Sequence, residues 1–113
     1  MLVSIRSRIE GAALERICVV VAGVPYAPRG RDILRPGETS PRIELDALAP
    51  GKRGAVYFEL SAGPRTLRFV TDELFDVTPG AVVLITISDD TVAHVAPVEV
   101  EGAVARLSRA RNG

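Results

Sequence analysis

The chain predicts an all-β fold, a single antiparallel β-sandwich of seven or eight short strands. Three observations carry that expectation. Apolar and polar residues alternate with a period of two from Tyr57 to Ser61 and from Thr66 to Val70. Gly/Pro clusters bound these runs, as they bound antiparallel strands. Apolar-x-Pro-Gly recurs at Leu34–Gly37, Leu48–Gly51 and Val77–Gly80. Pro at the second and Gly at the third position of a turn fit type II geometry, since Pro presets φ and Gly accepts a positive one.

Residues 2–10 read as a strand through Val3, Ile5 and Ile9, although Leu2, Ile5, Ile9 and Ala12 or Ala13 would also line a helix. The β character of the rest favours a strand. Leu14–Val21 is rich in β-branched residues and apolar on both faces, Cys18 and Val20 against Ile17, Val19 and Val21, which points to a central strand. Ala22–Pro25 turns the chain and Tyr26 begins a short return. Between Pro28 and Pro41 the periodicity is lost, which predicts a long surface loop, of the kind that is often mobile or functional, or a short edge strand between two turns. Arg29, Arg31 and Arg35 in that loop are candidate interaction residues. Alternation resumes at Arg42–Leu48, with Ile43 and Leu45 inward.

The most organised stretch is Tyr57–Ser88. It reads as strand, turn at Ala62-Gly63-Pro64, strand, short strand, turn at Thr78-Pro79-Gly80, and the apolar strand Ala81–Ile87. In that last strand Val82, Leu84 and Thr86 face one way, and Val83, Ile85 and Ile87 the other. A sandwich buries one face of each sheet, so one row is left uncovered. Leu84 and Ile85 are therefore the candidate contact residues of this strand, depending on which row faces out. After a turn at Asp89-Asp90, Val92–Val100 is expected to be the final strand, with Pro97 suiting an edge or a bulge. The domain is expected to span residues 1–102. Residues 103–113 carry Arg106, Arg109 and Arg111 and are expected to form a solvated basic tail.

The segment Gly54–Asp89, with YFELSAGPRTLRFV followed by FDVTPGAVVLITISD, resembles the PEGA domain and related transthyretin-like or fibronectin-type repeats of small bacterial sandwich modules. Ala62-Gly63 and Pro79-Gly80 occupy the two turns. The resemblance covers about a third of the chain. It implies an accessory or ligand-presenting role rather than catalysis, and it transfers no site residues.

The totals exclude several chemistries. The 113 residues are one domain with a 47% apolar composition, enough for a core without metal or disulfide. Formal net charge is zero, and aromatics are 4% with no Trp, so neither a strong field nor base-stacking pairs speak for nucleic acid. Thirteen Arg stand against one Lys, Lys52, a skew that suits composition bias as well as interfaces. Cys18 is the sole cysteine and His94 the sole histidine, so a disulfide, a multi-Cys zinc site and a two-imidazole site are excluded within one chain. Cys18 lies in an apolar run and reads as a buried inert thiol, and His94 as a half-buried sheet residue. Asp72, Glu73 and Asp76, and Asp89 with Asp90, read as solvated turn acids, with no EF-hand-like loop among them. Pro50–Gly54 lacks the first Gly and the Ser/Thr of a phosphate loop. No cofactor and no enzyme activity are expected. The expectation is a protein-contact module, an accessory domain or a subunit that self-associates or binds a protein partner. A carbohydrate or cell-envelope ligand is the alternative, for which only Tyr26 and Tyr57 could supply a platform. No signal-peptide h-region or span of membrane length is seen, which points to a cytoplasmic chain or to a processed secreted one, without membrane insertion.

Overall fold

The computed structural model describes residues 1–45, 48–88, 97–100 and 103–109, the last two segments in their backbone course. No helix occurs among them. Ten strands follow in order: β1 (Leu2–Arg8), β2 (Leu14–Val21), β3 (Val24–Tyr26), β4 (Ile43–Glu44), β5 (Arg53–Ala62), β6 (Arg65–Thr71), β7 (Phe75–Asp76), β8 (Val82–Ser88), β9 (Pro97–Val100) and β10 (Ala103–Arg109). The count exceeds seven or eight because β3, β4 and β7 are only two or three residues long.

Two sheets are built from them. One runs β3-β2-β5-β6 with β7 on β5, and the other runs β9-β8-β1-β4. β10 joins them, pairing antiparallel with β6 through Leu107–Arg109 and with β9 through Ala103–Arg106. The segment set apart from sequence as a basic tail therefore contains a strand, because Ala103–Arg109 alternates well enough to add to both sheets. The expected strand at Val92–Val100 is described only from Pro97. His94, Asp89, Asp90 and Arg111 lie outside the described residues.

The sheets are not purely antiparallel. β1 and β8 pair in parallel, Leu2 beside Val82 through Arg8 beside Ser88. Local alternation has the same period in both orientations, so the sequence could not distinguish them. Parallel neighbours require a long connection, and here the whole of β2–β7 lies between.

One core serves both sheets. Val3 and Ile5 of β1 and Ile85 and Ile87 of β8 belong to the same buried cluster as Ile17, Val19 and Val21 of β2 and Val56, Phe58 and Leu60 of β5. Phe69 of β6 stacks on Phe58 across the hairpin, with ring centroids 5.3 Å apart. With few aromatics, this β-branched packing and the one ring pair carry the interior. Buried hydroxyls fill gaps in the ladders. Thr71 Oγ1 accepts the Val56 N–H at 2.9 Å, and Ser40 Oγ accepts the Ile5 N–H at 3.0 Å.

Turn chemistry follows the sequence closely. Gly37, Gly51 and Gly80 all take positive φ, and the first and third turns close with Glu38 N–H to Arg35 O at 3.0 Å and Ala81 N–H to Thr78 O at 3.1 Å. The β2–β3 hairpin has a two-residue loop, Ala22-Gly23, both at positive φ. Gly54 serves a different need. Its backbone is covered by the Phe75 ring, and a Cβ there would stand 2.6 Å from Phe75 Cε2.

The loop from Pro28 to Pro41 is not free-standing. It runs as a strap that hydrogen-bonds first to β2 and then to β1. Leu34 exchanges two 2.8 Å bonds with Leu14, and Asp32 O accepts the Ile17 N–H. Farther on, Ser7 and Ile5 of β1 bond to Gly37, Glu38 and Ser40. Leu34 is 1% exposed and Pro28 is buried. Prolines and glycines hid this pairing from a periodicity reading, since only two or three residues at a time are in register.

Candidate interaction surface

Three surfaces carry the residues singled out from sequence and those that the fold adds to them. The first is the strap. Its stretch Arg31–Arg35 is extended, with Leu34 turned into the core and Arg31, Ile33 and Arg35 exposed. Arg31 is locked. Its Nη2 donates to Glu38 Oε1 at 2.9 Å and Oε2 at 2.8 Å, and its Nε donates to Ile33 O at 3.2 Å. Glu38 Oε1 also accepts the Arg35 N–H at 2.8 Å. That backbone bond, followed by the nearby Arg31 guanidinium, holds the Glu38 carboxyl below the usual range. Arg29 is almost fully exposed and reaches only within 3.9 Å of Glu44.

The second surface is the outer face of β1 and β8. Ile85 is completely buried, so of the two candidates in β8 it belongs to the core, and Leu84 faces out. Parallel register sets Leu2 beside Val82 and Ser4 beside Leu84. Val82 is 66% exposed, the highest among the described large apolar residues. The row then turns polar, with Arg6 Nη2 donating to Thr86 Oγ1 at 3.0 Å. Of this outward apolar row Val82 is exposed, while Leu2 and Leu84 are half-buried.

The third surface, on the outer face of β2, β5 and β6, was not foreseen. Alternation puts Glu59 outside, yet it is only 4% exposed. A bulge between Glu15 and Cys18 makes this possible. It holds Arg16 at φ 49°, rare for a residue with a side chain, and swings the guanidinium over the sheet. Arg16 Nη1 donates to Glu59 Oε1 at 3.1 Å, and Tyr57 Oη donates to Glu59 Oε2 at 2.7 Å. Ser61 Oγ donates to Glu15 Oε2 at 3.1 Å beside them. Cys18 pairs across from Tyr57 and is half-buried. Burial raises its thiol pKa, and burial together with the bond to Glu59 raises that of the Tyr57 phenol. Both groups stay protonated near neutrality, so neither is an activated nucleophile. A positive-φ Arg has no sequence signature, which is why this cluster was illegible. The only available cue was an outward Glu with a Tyr two residues before it.

The remaining candidates separate. Arg53 stands between Glu73 and Asp76 at 3.3 and 3.5 Å, so those turn acids share a cation from β5. Among the described residues no three of His, Cys, Asp and Glu stand together as metal ligands. Tyr26 pairs with Val19 and packs on the core, while Tyr57 lies on the outer face, so the two tyrosines form no common platform. Among the described residues no helix is long and apolar enough to cross a membrane. No family model matches the chain, and neither does any curated protein or solved structure. The PEGA-like and transthyretin-like resemblance therefore rests on turn glycines and alternation alone.

Proposed function

We propose that this chain is a non-catalytic β-sandwich module that works by protein–protein contact, as an accessory domain or a subunit of a larger assembly. The contact is made by the outer face of β1 and β8. The observation that carries the reading is the outward apolar row Leu2, Val82 and Leu84, in which Val82 is two-thirds exposed and the two leucines are half-buried. Rows of this kind on a sheet face mark interaction sites. The sheet ends support a face rather than an edge. β3 is three residues long and contains Pro25, and β4 is two residues long with Pro41 two positions before it. Short, proline-bearing end strands resist edge-to-edge pairing. Against catalysis stand the protonated thiol and phenol and the fully engaged Glu59.

Size-exclusion chromatography with light scattering tests the reading. Assembly or partner capture is expected in the wild type and lost in Leu84→Glu, with the melting transition kept. Ile85→Glu should unfold the domain instead, since it buries a charge in the core. A 12.0 kDa monomer that binds no apolar dye would overturn it.

A further inference from the structure

The outer face of β1 and β8 is electrically lopsided as well as apolar. Residues directly opposite in antiparallel strands share a face, so Glu44 of β4 stands beside Leu2, and Thr39 beside Arg6. Parallel pairing adds Val82 to the Leu2 row, Leu84 to the Ser4 row and Thr86 to the Arg6 row. One end of the face therefore carries a carboxylate beside two apolar residues. The other end carries Arg6, with exposed Arg8 one row farther on beside Ser88. The Leu2 and Arg6 rows lie about 13 Å apart along β1.

Neither charge has a firm partner among the described residues. Arg6 is half-buried, its Nη2 donates to the neutral Thr86 hydroxyl, and its Nε is buried without a hydrogen bond. Arg16, Arg31 and Arg53, by contrast, each stand near a carboxylate, at 3.1, 2.8 and 3.3 Å. A partly desolvated guanidinium with no carboxylate beside it is costly. Glu44 meets Arg29 at 3.9 Å with both side chains exposed, a contact worth little in water. Two copies stacked face to face, about a two-fold axis lying along the Ser4–Leu84 row, run their strands in opposite directions. Arg6 of each copy then lies over Leu2 and beside Glu44 of the other, and Leu84 meets Leu84. One symmetry operation thus matches both charges twice. Arg42, exposed just before β4, stays in solvent at the rim.

On the reading of the β1–β8 face as the contact surface, we propose that its occupant is a second copy of this chain, in an antiparallel isologous dimer whose two Arg6–Glu44 pairs flank a Leu84–Leu84 centre. Sedimentation equilibrium on the full chain tests it with Arg6→Glu, Glu44→Arg and their equimolar mixture. The wild type is expected to dimerise. Each variant alone sets like charges against each other at both ends and should weaken the dimer about ten-fold. The mixture restores two opposite-charge pairs between unlike copies and should return to within about two-fold of wild type. Glu44 is exposed, so Glu44→Arg keeps its melt and remains a check should Arg6→Glu melt early. A wild type that stays monomeric to millimolar concentration sinks the second copy, whereas capture of another protein that Leu84→Glu abolishes would still uphold the face. A dimer broken by Leu84→Glu yet untouched by the charge reversals, or not restored on mixing, overturns the two-fold arrangement. In-chain pairing of Arg6 with Glu99, which sits beside Thr86 in β9, would give that unrestored result. A dimer indifferent to Leu84→Glu would refute the face itself.

Discussion

Single residues show which local rules hold in this chain and where neighbours override them. Gly80 sits at φ 78° after Pro79 with open space around it, so only backbone conformation resists a side chain there. Gly80→Val should cost about 1–3 kcal/mol, read as a lowered thermal midpoint. A midpoint equal to that of wild type would refute the type II turn. The three Pro-Gly turns were legible because Pro and Gly each impose a dihedral directly. Glu59 was not. Its burial depends on Arg16, which lies forty-three positions away and reaches it only through an irregular backbone. The same cluster sets an alkaline limit. Cys18 and Tyr57 hold their protons more tightly folded than unfolded. The stability they contribute is complete below the ordinary values of 9.0 and 10.0, and it is lost as pH rises through the raised folded values. Urea midpoints should therefore fall between pH 8 and pH 11, and fall less in a Cys18→Ala, Tyr57→Phe double variant. An identical decline in both proteins would show that other groups set the limit.

Elements differ in how much of their character is written locally. β2, β5, β6 and β8 were readable because each alternates over five or more residues, and their inner rows are the buried ones. The sequence left the strap open between a mobile loop and a short edge strand because its order comes from partners. Its backbone is satisfied by β1 and β2, and one side chain, Leu34, drops fully into the core. Leu34→Ala should accordingly behave as a core truncation and cost about 2–5 kcal/mol. Truncating a loop residue would be nearly neutral, so a change below half a kilocalorie by urea denaturation would restore the mobile-loop reading. Of the strap arginines, Arg31 is held most firmly and Arg29 least, a ranking that equal composition could not reveal.

At the scale of the whole molecule, the all-β class and the single core were legible, while the parallel pairing and the closing strand were not. Both depend on contacts between distant segments, about which alternation is silent. β10 is the sole described strand that pairs with both sheets. Ending the chain after residue 102 should therefore lower the thermal midpoint by several degrees or abolish a cooperative transition, where loss of a solvated tail would change nothing. An unaltered melt would place the boundary of the fold before β10. The β1–β8 pairing carries a kinetic consequence as well. Arg6 and Thr86 are eighty positions apart, and Val3 and Ile5 reach their neighbours in β8 across a similar separation. Closing so long a loop precedes any reward from the contact, so β1 docks on β8 late, and refolding belongs to the millisecond-to-second range of non-local β folds. During synthesis β1 leaves the ribosome well before β8 exists, so until then the inward row of Val3 and Ile5 lacks its β8 neighbours.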